Sequence, residues 1–303
     1  MNQTGSLPTK YILLALVVVI VWGLNFIAIF VGLKELPPFL FCTLRFLFSS
    51  IPFIFFFPRP KVPLLTLIGY GLFNFAMQFG LMFSGIYMGL SPGLASLVVQ
   101  VQVFFSIALA FIFFKEKPGI LKIVGSLVSF LGIGLVAMNV GGDVTIIGLI
   151  LCILAALSWA GGNMFTKKMH AESPLALVVW GNFISFPFML VASFLMDGQE
   201  EIISSISGMS WEVVLALAYV VYMSTHIGYG LWGTLLQKFP TTSVVPFTLL
   251  VPIVGFLGTA IALNERLYTW KLWASLLIMG GLLFNLFEKR ILKAFKSLKT
   301  KEA

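Results

Sequence analysis

The sequence predicts an all-α integral membrane protein with ten transmembrane helices, and three observations support this fold class. Of the 303 residues, 59% are hydrophobic and 10% are charged, and the mean hydropathy is +1.05. The apolar residues form long continuous runs, which differ from the alternating pattern of a transmembrane β-strand. Only helices and closed barrels satisfy the backbone hydrogen bonds in lipid. The chain therefore cannot fold as a water-soluble globule.

Ten apolar runs lie between charged residues, prolines and glycines, and each is close to the roughly 20 residues that a spanning helix needs. The first run, Tyr11 to Leu33, is longer than the apolar core of a signal peptide, and no cleavage motif follows it, so we expect it to be retained. The predicted spans are 11–33, 38–57, 64–87, 91–114, 119–138, 146–168, 174–196, 212–236, 240–263 and 268–288.

The basic residues predict the direction of the spans. If the N-terminus is cytoplasmic, nine basic residues lie in inner loops and six in the C-terminal tail, whereas three lie in outer loops. Cytoplasmic loops of membrane proteins carry such an excess of Lys and Arg. We therefore expect both termini in the cytoplasm, with residues 289–303 as a basic cytoplasmic tail. The net charge of +8 reflects this topology and does not predict a nucleic-acid partner.

The two halves of the chain resemble each other at a shift of 149 residues. The matched pairs are Tyr70 and Tyr219, Glu116 and Glu265, Lys122 and Lys271, Ser126 and Ser275, and Gly132 and Gly281. Each half holds five spans, and an odd number makes the second half enter the membrane from the opposite side. The sequence thus predicts two inverted five-helix repeats, 11–138 and 146–288, an arrangement common in transporters.

Polar residues within the spans are the candidate site residues, because polar groups in hydrocarbon are costly and mark either function or helix contacts. In the third span, Gly71, Asn74, Gln78 and Gly85 share one helical stripe. This pattern fits a cavity wall and close helix packing equally well.

The fourth span carries Gln100 and Gln102, which point to nearly opposite sides of a helix. Only one of the two can therefore face a cavity, and we favour Gln100. The ninth span has Pro246 and Pro252 in the related region. Proline leaves backbone carbonyls without a donor, and such carbonyls can bind a substrate near the middle of the membrane.

A tryptophan and an asparagine lie within one turn at the first span of each repeat, as Trp22 with Asn25 and Trp159 with Asn163. Both pairs fit either a cavity lining or helix packing.

Arg45 and His226 are the remaining candidates within spans. Snorkelling or a bond to carbonyls is the favoured role of Arg45, and a carboxylate anchor for the substrate is the alternative. His226 is either a hydrogen-bonding core residue or a group that titrates near neutral pH.

The sequence has no nucleophile motif, metal cluster or phosphate loop, and Cys42 and Cys152 lie separately within spans. We therefore expect no enzyme, no cofactor and no metal site. Amides, indoles and one arginine suit a small zwitterionic or weakly anionic molecule. The expected partners are this small-molecule substrate and membrane lipid, while the oligomeric state stays open.

Several motifs resemble the EamA branch of the drug/metabolite transporter superfamily. They are WGLNF at 22–26, LRF at 44–46, GLASLVVQVQVFF at 93–105, FFKEK at 113–117, SWAGGNMFTKK at 158–168, GYGLWGTLL at 228–236, PFTLLVP at 246–252 and NERL at 264–267. The resemblance covers nearly the whole chain, and it implies ten helices in two EamA repeats, a bacterial inner-membrane location and efflux from the cytoplasm. His226 departs from the aliphatic residue expected there.

Within that branch, the motifs are most similar to exporters of O-acetylserine and cysteine, which makes these metabolites the expected substrates. Another amino acid or metabolite is the alternative substrate. A membrane scaffold or receptor without transport is the alternative from a different class, and it would use the polar residues only to join helices.

Overall fold

The computed structural model describes residues 8–169 and 173–299, and no β-strand occurs within these ranges. Ten helices are long and apolar enough to cross a membrane, which confirms the predicted number. They are Thr9–Gly32, Pro38–Phe55, Leu64–Tyr87, Pro92–Phe114, Ile120–Met138, Ile146–Lys167, Pro174–Met196, Trp211–Lys238, Val245–Ala262 and Thr269–Glu288. We refer to them as the first to the tenth span.

The observed ends differ from the predicted ones by a few residues at most spans. The largest difference is in the ninth span, because Thr241–Val244 forms a separate helical turn before it. Outside the spans, Gln199–Ser207 forms a short surface helix. The last helix continues to Lys299, so most of the predicted tail is helical, and residues 300–303 lie outside the described ranges.

Five spans depart from α-helical geometry. The second span ends in the 3-10 stretch Phe53–Phe55. The third span contains the π-helix Leu72–Met77, and the eighth contains the π-helix Tyr219–Gly228. The fourth span has a 3-10 stretch at Val99–Val101, and the ninth begins with one at Val245–Leu249. After a shift of 149 residues, the irregular stretches of the third and fourth spans overlap those of the eighth and ninth. Such stretches often mark hinges or functional sites.

The fifth and tenth spans form an extensive helix pair that depends on small residues. A Cβ atom at Gly125 would lie 2.5 Å from the carbonyl oxygen of Gly281, so the two backbones touch. Close to this crossing, the hydroxyl of Ser129 donates to the carbonyl of Ile278 at 2.9 Å. Small residues allow this approach, and the polar bond adds to the packing. The crossing fixes which residues at the ends of the two helices meet.

The small residues of the third span pack against two different helices. Gly71 faces Gly181 of the seventh span, whereas Gly85 faces Cys152 of the sixth. Asn74 packs against Gly162, also in the sixth span. The predicted stripe is therefore divided between two neighbours, because the π-helix between Gly71 and Gly85 changes the direction of the side chains.

The contacts between helices define the two ends of the bundle. The terminal face holds the end of the fourth span at Phe114, which contacts Lys167 of the sixth, and the start of the fifth at Gly119, which contacts Glu288 at the end of the tenth. The opposite face holds Pro92, Met138, Ile146 and the start of the tenth span at Thr269.

Candidate functional site

A cavity of about 420 Å³ lies at the terminal face, between the fourth, fifth, sixth and tenth spans. Its apolar walls come mainly from Val103, Ile107, Ala110 and Met164. The polar lining residues are Gln102, Ser106, Glu116, Lys117, Lys122, Asn163, Lys167 and Asn285. Small-molecule sites are mostly apolar hollows of this size with a few placed polar groups.

Three polar side chains of the cavity form one hydrogen-bonded group. Asn163 Nδ2 donates to Gln102 Oε1 at 3.0 Å and to Ser106 Oγ at 3.2 Å. Ser106 Oγ also lies 3.3 Å from Gln102 Oε1, one helical turn along the fourth span. Among the described residues, nothing pairs with Gln102 Nε2 or Asn163 Oδ1. Gln102 Nε2 is therefore free to donate a hydrogen bond to a ligand, and Asn163 Oδ1 is free to accept one.

The mouth of the cavity is positively charged. Glu116 and Lys167 form an ion pair in which both side chains are about half exposed, and Lys167 Nζ lies 4.6 Å from the centre of the Phe114 ring. Lys117 is exposed and Lys122 is half-buried. Three ammonium groups thus face the carboxylate of Glu116, and the carboxylate of Glu288 lies nearby against Gly119. The remaining excess of positive charge favours an anionic or zwitterionic ligand over a cation.

The opposite face is closed by contacts between the fourth and ninth spans. Glu265 Oε1 accepts a hydrogen bond from the backbone nitrogen of Gly93 at 3.1 Å. Ser96 Oγ lies 3.5 Å from the carbonyl oxygen of Pro252. Every residue of the helix Pro92–Val98 is buried. These contacts seal the fourth span against the ninth at this end.

A charged cluster strengthens this closure. Lys271 is completely buried, forms an ion pair with Asp143, and has its Nζ atom 4.0 Å from Glu265 Oε2. In the loops beside it, Glu35 Oε2 accepts a hydrogen bond from the backbone nitrogen of Ser210 at 2.8 Å. This bond holds the pKa of Glu35 below its usual value of 4.5. The charged side chains of this face therefore form bonds with residues at the ends of the spans.

The fourth span is buried at one end and exposed at the other. Its first helix, Pro92–Val98, is wholly buried, whereas Phe104 is the one buried residue of Gln102–Phe114. The first part of the ninth span, Val245–Leu249, contains no buried residue. The fourth span thus packs against the ninth at the opposite face, whereas its less buried part lines the cavity at the terminal face.

Of the ten residues predicted for the site, this cavity contains Asn163 alone. Of the two glutamines, Gln102 lines this cavity and the favoured Gln100 does not. The reason is the orientation of the fourth span: Ser96, which shares the side of Gln100, bonds to the ninth span. Gln100 is half-buried in the 3-10 stretch.

Arg45 is buried among aromatic rings of the third span. Its guanidinium carbon lies 3.6 Å from the centre of the Phe79 ring, and Nη2 lies 3.5 Å from Thr225 Oγ1. Nε and Nη1 have no acceptor among the described residues. Aromatic stacking therefore provides its main contact, and the cavity does not reach it.

The tryptophan and asparagine pairs have unlike roles. Trp22 Nε1 donates to the carbonyl of Ser224 at 3.1 Å and its ring packs beside Tyr229 and Trp232. Asn25 is buried, and its Oδ1 atom has no donor among the described residues. Trp22 therefore joins the first span to the eighth, whereas Asn163 faces the cavity.

The other predicted residues lie outside the cavity. Asn74 and Gln78 are buried within the bundle, and Trp159 is half-buried. The ring of His226 stacks on Phe53, with centroids 3.9 Å apart, between the second and eighth spans. Pro246 lies in the 3-10 stretch of the ninth span.

Sequence reasoning missed Ser106, Asn285 and the charged residues at the mouth as site residues. The signal for Ser106 was its spacing of four from Gln102. The charged residues were interpreted as topology signals, and only the fold shows that they surround one cavity.

A ten-helix bundle with a polar cavity open towards one face and sealed at the other defines a membrane transporter. The EamA-like transporter family matches residues 9–138 and 146–287, and the chain belongs to this family. Two curated relatives are each 42% identical and are named probable amino-acid metabolite efflux pump. The protein of Salmonella typhimurium LT2 aligns over 92% of this chain and 95% of its own length, and that of Escherichia coli K12 over 93% and 97%.

Two further comparisons support the fold. An uncharacterized transporter of Bacillus subtilis 168, YvbV, is 26% identical over 89% of each chain. One solved crystal structure superposes with a TM-score of 0.63 at 14% identity and covers 94% of this chain and 99% of its own. At that identity the likeness shows the fold alone.

Proposed function

We propose that this protein is an alternating-access transporter that exports small amino-acid metabolites from the cytoplasm, with O-acetylserine and cysteine as the leading substrates. The observation that carries the proposal is the polar cavity at the terminal face, opposite a face sealed by Glu265 and Lys271. This arrangement suits an inward-open state that receives its substrate from the terminal side.

The terminal face is the cytoplasmic face in this proposal. Lys117, Lys122 and Lys167 gather there, as the excess of basic residues in cytoplasmic segments requires. The opposite face then meets the periplasm of a bacterial inner membrane.

Inverted repeats would allow the protein to alternate between an inward-open and an outward-open state. The π-helices of the third and eighth spans recur at corresponding positions, as do the 3-10 stretches of the fourth and ninth. Two bundles of similar shape and opposite direction can exchange conformations. Opening one face and closing the other then requires the fourth and ninth spans to part at the Glu265 end and meet at the Glu116 end.

The cavity chemistry supports the substrate class. Gln102 and Asn163 offer one donor and one acceptor, and the mouth carries three ammonium groups and one carboxylate. A zwitterion with a short polar side chain can place its carboxylate beside an ammonium group of the mouth and its side chain beside the two amides. The names of the two relatives that are 42% identical point to the same class of substrate and to efflux.

Counterflow in proteoliposomes tests this proposal and identifies the substrate. Purified protein is reconstituted, the vesicles are loaded with one unlabelled metabolite of a panel, and uptake of labelled O-acetylserine or cysteine is followed. We expect stimulation by amino acids with small polar side chains and none in liposomes without protein. Absence of stimulated uptake with every amino acid in the panel would contradict the proposal.

A further inference from the structure

We propose that Lys122 of the fifth span, together with Asn285 of the tenth, binds the carboxylate of the metabolite in the terminal-face cavity. This inference rests on the proposed function and names the substrate group that the site selects. Both side chains line the cavity.

The crossing of the fifth and tenth spans brings the two residues to one level. The helices run antiparallel, since Gly125 meets Gly281 and Gly132 meets Ala274 and Ile278. Lys122 precedes Gly125 by about one turn, and Asn285 follows Gly281 by about one turn. Both residues therefore lie roughly 5 Å beyond the crossing, on the side of the terminal face.

Lys122 carries a charge that no described carboxylate neutralises. Its repeat counterpart Lys271 pairs with Asp143 and approaches Glu265. Glu116, the counterpart of Glu265, pairs with Lys167 instead. Among the described residues no carboxylate lies within ion-pair distance of Lys122 Nζ. At the sealed face the ammonium group of Lys271 is therefore paired with a carboxylate, whereas at the open face the ammonium group of Lys122, its repeat counterpart, is not.

The surroundings of Lys122 also lack an anion that belongs to the helix. The first turn of the fifth span has no acidic residue, and no side chain caps its N-terminus at Gly119. A cation in the first turn of a helix is unfavourable, whereas an anion there is stabilised. The helix end and the Lys122 ammonium both carry positive charge, and the Glu288 carboxylate of the tenth span lies against Gly119 beside them. The site therefore offers both signs of charge to a ligand.

Asn285 supplies a second donor. Its Nδ2 atom is buried and has no acceptor among the described residues. An unpaired buried donor costs free energy, and a carboxylate has enough lone pairs to accept from both Lys122 and Asn285.

Glu288 carries a carboxylate close to this site, although it does not line the cavity. It lies against Gly119, its buried Oε1 atom has no donor among the described residues, and it does not pair with Lys122. Its negative charge favours a substrate that carries an ammonium group as well as the carboxylate.

The test compares cysteine with cysteinamide, which keeps the thiol and the amine and lacks the carboxylate. Half-saturating concentrations of both are measured by flux into proteoliposomes, for wild type, Lys122→Gln, Lys122→Arg and Asn285→Leu. We expect Lys122→Gln to raise the half-saturating concentration of cysteine by about 10-fold to 100-fold, which is the range for loss of a charged hydrogen bond. The half-saturating concentration of cysteinamide should stay unchanged. Lys122→Arg should retain most of the affinity for cysteine. Asn285→Leu should give a smaller rise in the same direction.

Lys61→Gln is the matched control, because Lys61 is exposed in the loop between the second and third spans and does not line the cavity. It should change neither half-saturating concentration appreciably. The inference is overturned if Lys122→Gln leaves cysteine flux unaltered, if it weakens cysteine and cysteinamide alike, or if Lys61→Gln has an equal effect. Wild-type flux of cysteinamide without flux of cysteine would overturn the carboxylate site and leave a transporter of amino-acid derivatives. Wild-type flux of no amino-acid derivative would overturn the proposed function and the inference with it.

Discussion

Asn163 Nδ2 donates a hydrogen bond to Gln102 Oε1 at 3.0 Å, and this bond joins the sixth span to the fourth at the wall of the cavity. The bond leaves the other end of each amide free among the described residues. It fixes the orientation of both side chains, so that a ligand meets a preformed pair of polar groups.

Gln102 and Gln100 provide a paired test of the cavity. We expect Gln102→Leu to lower the flux of the transported metabolite about 10-fold, since it removes one amide of the cavity and one of the two acceptors of Asn163. Gln100→Leu should retain flux within about twofold, because Gln100 does not line the cavity. Initial rates in proteoliposomes, normalised to folded protein, measure both. Equal losses in the two variants would count against this cavity.

Lys271 and Lys122 test the difference between the sealed face and the open face. Lys271→Met should destabilise the protein by about 3 kcal/mol or more, because it leaves the carboxylates of Asp143 and Glu265 without their buried partner. Lys122→Met should cost much less, since no described carboxylate depends on it. Thermal unfolding in detergent gives the comparison. A similar fall in melting temperature for both would contradict the assigned pairing.

Ser106 and Ser96 test which face is open. In a background with Cys42→Ala and Cys152→Ala, we expect an impermeant maleimide to label Ser106→Cys from the cytoplasmic side, because Ser106 lines the cavity. Ser96→Cys should resist labelling from both sides, because Ser96 is fully buried at the sealed face. Labelling in right-side-out and inside-out vesicles distinguishes the sides. Faster labelling of position 96 than of position 106 would refute an inward-open state.

Arg45 tests the role of the buried guanidinium. We expect Arg45→Met to fold and to leave the half-saturating concentration of cysteine unchanged, since Arg45 stacks on Phe79 away from the cavity. Arg45 has no carboxylate partner among the described residues, so its replacement by an apolar residue of similar volume leaves no buried charge unpaired and should preserve stability. Melting temperature and flux measure the two effects. A selective loss of cysteine over cysteinamide would instead make Arg45 the carboxylate anchor.

The sequence predicted the fold more completely than the site, and the physics explains the difference. Each spanning helix needs only a long apolar run, which is a local property, so all ten spans could be found. The helix ends were predicted less accurately, because the backbone geometry at each end sets them. The separate turn Thr241–Val244, which was predicted as part of the ninth span, is an example.

The site depends on contacts between distant helices, which one sequence does not encode visibly. The two glutamines of the fourth span point apart as predicted, but the contact of Ser96 with the ninth span decides which of them faces the cavity. Similarly, Lys122 looked like a topology signal until the crossing at Gly125 and Gly281 placed it beside Asn285.

Efflux from loaded proteoliposomes tests the central proposal most directly. Vesicles containing wild-type protein, the Asn163→Leu variant or no protein are loaded with labelled cysteine or O-acetylserine, and the label that leaves is followed with time. We predict rapid efflux with wild-type protein and efflux lowered about 10-fold by Asn163→Leu, which breaks the amide pair of the cavity. Wild-type efflux no faster than from protein-free vesicles, with correctly folded protein present, would contradict the proposal that this chain exports these metabolites.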